Sequence, residues 1–304
     1  MVANLTFFCK KQLKKLFYYF TSLCEELLSV IIQCVVQQDV KKVNGRAHFV
    51  FLVRSLMSKI KPVFKCEEHF KAKFKDSKCL LTISVGQEVH EGDKFEKTIG
   101  LVNQAFQSCV VLIDDTLQRH TMAIETNNCS GDDLLGLSKQ EGELWLERSH
   151  LVINQLTIPY KVITWDDWLY HSRFNSIKSA LNNLYRQDAI FNGAIENTIN
   201  EFLTRYDRRS ISNNYLSDPR ARKLCYDYLI EECVAMHLWI ELGCHFEVYP
   251  SRRNAAMAEI HRRFVLPQHP DLLHSVSIKF KNKKQLKPQV FSALTNRELL
   301  VSNA

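Results

Sequence analysis

The chain has 304 residues, 46% of them apolar, with only 9 Gly and 7 Pro, a composition that can bury a sizeable core and argues against a loop-rich or all-β chain. Its formal net charge of +7 is unevenly spread: residues 1–78 hold 15 Lys and Arg against 6 Asp and Glu, residues 79–275 hold 19 against 26, and residues 276–304 hold 6 against 1. Basic ends suit a polyanion or a membrane surface, or are simply solvated, while an acidic middle suits a site that handles amines.

In chain order, residues 5–36 place Leu13, Leu16, Phe17, Phe20, Leu23, Cys24, Leu27, Leu28 and Ile31 at spacings of three and four, the stripe of a long helix whose first turns carry Lys10, Lys11, Lys14 and Lys15. The stripe reads as a packed face; the lysines either touch RNA or lipid or lie in water. Glu25 and Glu26 sit inside the most apolar window of the chain and argue against a membrane-spanning helix. No secretion signal opens the sequence, and the ten cysteines lie in apolar stretches without a C-x-x-C pair. A cytoplasmic protein with buried, reduced cysteines is expected, neither disulfide-linked nor zinc-binding.

Residues 48–62 read as another helix, and "FKAKFKDSK" as a basic approach to the first strand. Two strand signals follow, "CLLTISV" at 79–85 and "SCVVLIDDT" at 108–116. Between them Phe95, Ile99, Val102 and Phe106 recur at helical spacing, giving a β-α-β unit with its right-handed crossover. Next come a helix at 138–156, the strand-into-helix "YKVITWDDWL" with Asp166 and Asp167 at the helix start, and a helical stretch from about 174 to 206. A helix at 219–242, with Trp239 in the core, precedes the strand "HFEVYPS" at 245–251. The alternation predicts an α/β fold with a parallel sheet and helices on both faces.

No G-x-x-x-x-G-K-[ST], G-x-G-x-x-G or H-E-x-x-H motif occurs, so ATP, NAD and a catalytic metal are not expected. Ser84 in "TISVG" resembles the serine of a nucleophile elbow, with Thr82 where the first glycine would stand. It sits at the carboxyl end of a parallel strand, where open sheets bind ligands, and Asp114 and Asp115 end the neighbouring strand. Taken alone, such a serine is a strand end or a nucleophile.

With "LLTISVGQ", "VVLIDDTLQRH", "YLIEECVAM" and "FEVYPS" in this order, residues 79–265 resemble the cyclodipeptide synthases, transfer-RNA-dependent enzymes that join two aminoacyl groups into a cyclic dipeptide. The resemblance implies a Rossmann-like domain similar to the catalytic domain of class I tyrosyl- and tryptophanyl-tRNA synthetases, without an ATP site or other cofactor. Residues 1–78 would be a basic helical extension, 79–275 the catalytic domain and 276–304 a basic tail. It also implies that Ser84 takes an aminoacyl group from aminoacyl-tRNA as an ester. The group is then coupled to one from a second aminoacyl-tRNA and cyclised, in a ping-pong sequence. Tyr228 and Glu232, four residues apart on one helix face, would hold the ammonium and pass protons, with Tyr249 orienting.

Gln87 and the Tyr249-Pro250 dipeptide match the branch of the family with a variable residue after the serine and Tyr-Pro later. Leu80 and Thr82 share the face of Ser84 and, with Gln87 and Pro250, would line the substrate pocket. The helix that is arginine-rich in other members is here 138–156 and offers mainly Lys139, Arg148 and His150; the basic segment before residue 78 would compensate. Arg119 and His120 would meet the terminal adenosine or cap a helix. Arg252 and Arg253, like Arg262 and Arg263, suit RNA phosphates. The expected partners are two aminoacyl-tRNAs, with no obligate protein partner and no membrane insertion. Two other readings stay open: a serine esterase acting on aminoacyl-tRNA, and a tRNA-binding protein without catalysis.

Overall fold

The computed structural model describes residues 60–126, 131–208 and 214–282. The helix expected at 5–36 and most of the one expected at 48–62 lie outside the described residues. The latter's last residues, 60–62, open a strand instead, β1 (Ile60–Lys65). After the short helix α1 (Glu68–Lys71) come β2 (Lys78–Ser84), α2 (Gly92–Ala105), β3 (Ser108–Asp114), α3 (Arg119–Glu125) and α4 (Gly131–Ile153). Then follow β4 (Tyr160–Thr164), α5 (Asp166–Leu169), α6 (Phe174–Gln187), α7 (Ala189–Asp207), α8 (Pro219–Trp239), β5 (Phe246–Tyr249), α9 (Ala255–Ile260) and β6 (His274–Asn282).

The strands form one sheet in the order β1-β6-β5-β2-β3-β4. All pairs are parallel except β1 with β6. The chain runs outward from β2 through β3 to β4, then crosses back to lay β5 and β6 on the other side of β2. Strand order therefore reverses between β2 and β5, and the crevice outside their carboxyl ends is the place where such sheets take ligands. Ser84 ends β2 on this crevice, one strand inward from Tyr249 at the end of β5.

Alternation along β2 sorts its side chains onto two cores. Cys79, Leu81 and Ile83 pack with Phe95, Ile99 and Val102 of α2 and Trp145 of α4. Leu80, on the opposite face, joins Val110 and Leu112 of β3 and the buried side of α8. Cover on both faces explains why β2 and β3 read as nearly unbroken apolar runs. α8 starts sharply because Pro219 fills its first turn and the Asp218 carboxylate accepts the Arg220 N–H at 2.8 Å.

The helical stretch expected from 174 to 206 is two helices. Asp188 takes an extended conformation between them, and its side chain caps α7 by accepting the Phe191 N–H at 2.8 Å. The sheet also reaches past residues 79–275 at both ends, since β1 and the carboxyl half of β6 are strands. The six described cysteines are free, and five of them are buried. No described helix is long and apolar enough to cross a membrane.

Candidate active site

Ser84 is held from its main chain outward. Its carbonyl accepts the Gln87 N–H at 3.2 Å, closing a tight turn in which Gly86 takes φ +82°, a conformation that side-chain-bearing residues rarely adopt. The Ser84 N–H donates to Nδ1 of His90 at 3.0 Å, and the same nitrogen lies 3.1 Å from the Ser84 carbonyl oxygen. His90 is fully buried, and burial pushes its pKa down to about 4, so the ring is neutral and its Nδ1 lone pair can receive that N–H. The indole N–H of Trp145 donates to the His90 carbonyl at 3.1 Å. Among the described residues His90 Nε2 has no hydrogen-bond partner.

The Ser84 hydroxyl faces Tyr249, with Oγ and the phenol oxygen 3.1 Å apart. The Tyr249 ring packs beside His90, centroids 5.5 Å apart. Burial raises the Tyr249 phenol to about 12, against the lowering effect of the Ser84 hydrogen bond and with the Asp114 and Glu232 carboxyls adding to the rise. Tyr249 therefore stays protonated and can donate.

α8 brings Tyr228 and Glu232 to the same crevice on one helix face. Burial, reinforced by Glu232, Asp114 and Tyr249, holds Tyr228 well above the ordinary tyrosine range. For Glu232, burial and the Glu247 carboxylate outweigh a 3.0 Å hydrogen bond from the Asn254 side-chain amide, and its pKa rises to about 7. Asp114, level with Ser84 on β3, is pushed well above the usual carboxylate range by burial and by the Glu232, Asp115 and Glu247 carboxyls. The mutual electrostatic influence of the two phenols and two carboxyls puts them in one neighbourhood with the Ser84 hydroxyl, which Tyr249 contacts directly. The site holds a hydroxyl with donors beside it and a carboxyl able to take a proton near neutrality.

The other expected site residues lie as follows. Leu80 is fully buried in the core, Thr82 is buried between Leu80 and Ser84, Pro250 is partly buried, and Gln87 is exposed on the turn. The Gln87 N–H is engaged with the Ser84 carbonyl. Three of the four arginines expected to contact tRNA carry internal carboxylate partners. Arg119 donates from one nitrogen, Nη2, to both Glu231 carboxylate oxygens at 2.6 and 2.7 Å. Arg253 grips Glu247 at 2.5 and 2.9 Å and donates to the Leu273 carbonyl, and Arg148 forks Glu91 at 2.7 and 3.2 Å. Arg252 is exposed and in no ion pair among the described residues. His120 lies against Glu231 at 3.3 Å, Arg262 pairs with Glu259, and Arg263 with Asp188.

His90, Asn254 and Glu247 had no sequence signal that singled them out. Each contributes through a side-chain contact across 6 to 22 positions of sequence, as His90 does to Ser84, six residues away. Among the described residues no group of three or more His, Cys, Asp or Glu is placed to hold a metal ion.

No protein-family model and no curated protein sequence matches the chain. Solved structures do. A CDPS from Fluoribacter dumoffii is 40% identical, with a TM-score of 0.69 over 73% of this chain and 98% of that one. The cyclodipeptide synthase from Candidatus Glomeribacter gigasporarum, bound to Phe-tRNAPhe, has the same fold at 19% identity, TM-score 0.58, over 74% and 96% of the two chains. A Mycobacterium tuberculosis protein whose structure relates cyclodipeptide synthetases to type I tRNA synthetases shares the fold at 9% identity, TM-score 0.52, over 73% and 93%.

Proposed function

This chain belongs to the cyclodipeptide synthases, and from that premise we propose that Ser84 carries the first aminoacyl group between two aminoacyl-tRNAs, as a covalent ester. The observation that supports this most directly is the Ser84 hydroxyl at the mouth of the β2–β5 crevice, 3.1 Å from a phenol held in its protonated form.

An aminoacyl-tRNA is already an ester, so the first step exchanges one ester for another and requires alignment more than driving force. The Ser84 Oγ–C bond forms as the C–O bond to the terminal ribose breaks. The Ser84 proton passes by way of Tyr249 to the leaving ribose oxygen. His90 positions Ser84 by fixing its main chain and packing the Tyr249 ring.

The second step needs a neutral amine, because an ammonium has no lone pair. Glu232, with its pKa near 7, takes that proton while Tyr228 orients the group. The amine of the Ser84-bound residue attacks the ester carbonyl of the second aminoacyl-tRNA, and the C–O bond to that ribose breaks as the peptide bond forms. The dipeptide now hangs from Ser84. Its terminal amine attacks the seryl ester, the six-membered ring closes, and Ser84 regains its hydroxyl. This order keeps one ester to the protein until the last step.

The test is mass spectrometry of the protein and its products after incubation with aminoacylated tRNA. The reading expects an aminoacyl mass on the peptide that contains Ser84 and a cyclic dipeptide in solution, both absent in Ser84→Ala with the fold unchanged by circular dichroism. Free amino acid in place of the cyclic dipeptide makes the protein an esterase. No aminoacyl mass, with tRNA bound, leaves a binding protein.

A further inference from the structure

Arg253 is a loop arginine with little solvent around it. Its side chain and that of Glu247 are 8% and 10% exposed, and the guanidinium donates from Nε and Nη2 to Glu247 Oε2 at 2.9 and 2.5 Å. Nη2 also donates to the Leu273 carbonyl. Leu273 is fully buried at φ +56°, in the left-handed region that a side-chain-bearing residue enters at a cost. Its own N–H is tied to the Cys244 carbonyl at 3.0 Å.

The sheet puts this ion pair beneath the candidate site. Glu247 on β5 is registered with Leu80 on β2, and level side chains of parallel strands point to one face. Glu247 therefore lies on the α8 side with Leu80, Thr82 and Ser84, and Tyr249 follows two residues later on that face. The loop 250–254 then carries the chain from β5 to α9, with a site contact at each end. Tyr249, just before it, meets the Ser84 hydroxyl at 3.1 Å, and Asn254, its last residue, brings its amide to Glu232 at 3.0 Å. Arg253, next to Asn254, ties the loop down to the sheet.

Facing Glu232 are Asp114 of β3, Glu247 and Tyr249 of β5, Tyr228 of its own helix and the Asn254 amide, with Cys233 beside it in the chain. Behind the ion pair stand His261 and His274, whose rings burial and the Arg253 charge push below the ordinary histidine value. Replacing a buried ion pair by well-packed apolar side chains is often neutral for stability, so anchoring the loop does not by itself require charges. A charge, unlike a methyl group, acts across the intervening space, and the Glu247 carboxylate disfavours a second negative charge near it.

We propose that Arg253 and Glu247 are positioning residues for the reaction. Clasped to Glu247 and to the Leu273 carbonyl, Arg253 fixes the loop that sets Tyr249 against Ser84 and Asn254 against Glu232, and the Glu247 carboxylate acts on Glu232 through its charge. This rests on the reading of Glu232 as the group that takes the amine's proton. A carboxylate in the ordinary range is a weak base for an amine near neutrality, whereas one with a like charge nearby suits the task. Arg253 keeps that like charge in a buried place, where an unpaired Glu247 would itself take up a proton.

The test follows two readouts in the full chain. One is the pH dependence of cyclic dipeptide formation from aminoacylated tRNA, and the other is the carboxyl NMR resonance of Glu232, identified by its loss in Glu232→Gln. E247Q removes the like charge. The resonance should titrate, and the rate should level off, about one pH unit lower than in the parent, with a plateau a few-fold lower because the base is weaker. A merely structural Glu247 would lower the thermal midpoint and the plateau and leave both pH values in place. R253K keeps the charge but loses the planar fork. Its kcat should fall about tenfold or more through the misplaced loop, while KM for aminoacyl-tRNA stays within about threefold, since the guanidinium meets no substrate.

A resonance that does not move in E247Q overturns the proposal. So does R253K with a raised KM and an unchanged kcat, which would make Arg253 a contact to tRNA. Should E247Q not fold, R253M/E247L replaces the pair with apolar side chains, and the resonance should move in the same direction by a smaller amount. A resonance that moves while the rate profile stays refutes Glu232 as the base and leaves the action of Glu247 on it standing.

Discussion

Glu231 and Glu232 are adjacent on α8 and face opposite electrostatic settings. Glu231 turns toward α3 and α6, where burial alone would raise its pKa. His120, 3.3 Å away, and the charges of Arg119 and Lys178 overcome this and hold it down to about 2. Glu232 turns toward Asn254, with one amide donor and the acidic Glu247 as neighbour, and its pKa rises to about 7. One helix thus carries a carboxylate that is permanently charged and one that can exchange a proton near neutrality. The pairs of groups whose surroundings drive their pKa values apart mark the division between holding the fold together and moving protons.

The largest effect is expected from removing the exchangeable carboxylate. Glu232→Gln should lower cyclic dipeptide formation by about 10²- to 10⁴-fold, the range for losing a general base. Acyl-serine should persist, since the ester exchange does not use this group. The same substitution should help the fold at high pH. Folded Glu232 holds its proton up to about 7, while an unfolded glutamate releases it in the ordinary carboxylate range. The folded state therefore binds more protons between those limits, and the stability this provides is lost as pH rises through about 7. The thermal midpoint of Glu232→Gln should exceed the parent's at pH 8 and match it near pH 5. An equal difference at both values would mean that Glu232 is charged throughout.

Glu231→Ala should do the reverse. It strands Arg119, whose side chain is only 16% exposed, and an uncompensated buried charge typically costs about 3–5 kcal/mol. The lower end is expected, because Lys178 reaches solvent. For a domain of this size that corresponds to a fall of roughly 6–12 °C in thermal midpoint. The pH profile of the remaining activity should not move. A shifted profile would show that the two carboxylates act as one network.

Glu231 also shows where sequence reading stops. The β2 and β3 strands, the crossover helix between them and the one-face pair Tyr228 and Glu232 follow from local periodicity, which a single segment carries in full. The partners of Arg119 and Arg253 do not. Arg119 meets Glu231 across 112 positions of sequence, and an arginine in a basic cluster looks the same whether its carboxylate is distant or absent. Strand β6 has Val276, Ile278 and Phe280 alternating with Ser and Lys, but its lysines read as tail. Pro62 concealed β1, since proline is disfavoured within a sheet and tolerated at an edge, which is where β1 lies. His90 belongs to no periodic pattern, and its role comes from one nitrogen at the Ser84 main chain.

The smallest effect tests the setting of Glu232 without removing the group. If its carboxylate takes the amine's proton, the rate should rise with pH and level off above about 7, falling about tenfold per unit below that. Asn254 lowers the Glu232 pKa through its amide, yet it also caps α9, its side-chain oxygen accepting the Met257 N–H at 2.8 Å. Alanine would remove both contacts. Serine caps a helix about as well as asparagine but brings no amide to Glu232, so Asn254→Ser separates the two roles. Burial and the Glu247 charge then act with less opposition. The rise of the rate should move to higher pH while the plateau and the thermal midpoint stay close to the parent's, leaving a loss of only a few-fold at pH 7. If the profile stays in place, the titrating group is not Glu232, and Asp114, buried beside the same hydroxyl, becomes the group to replace.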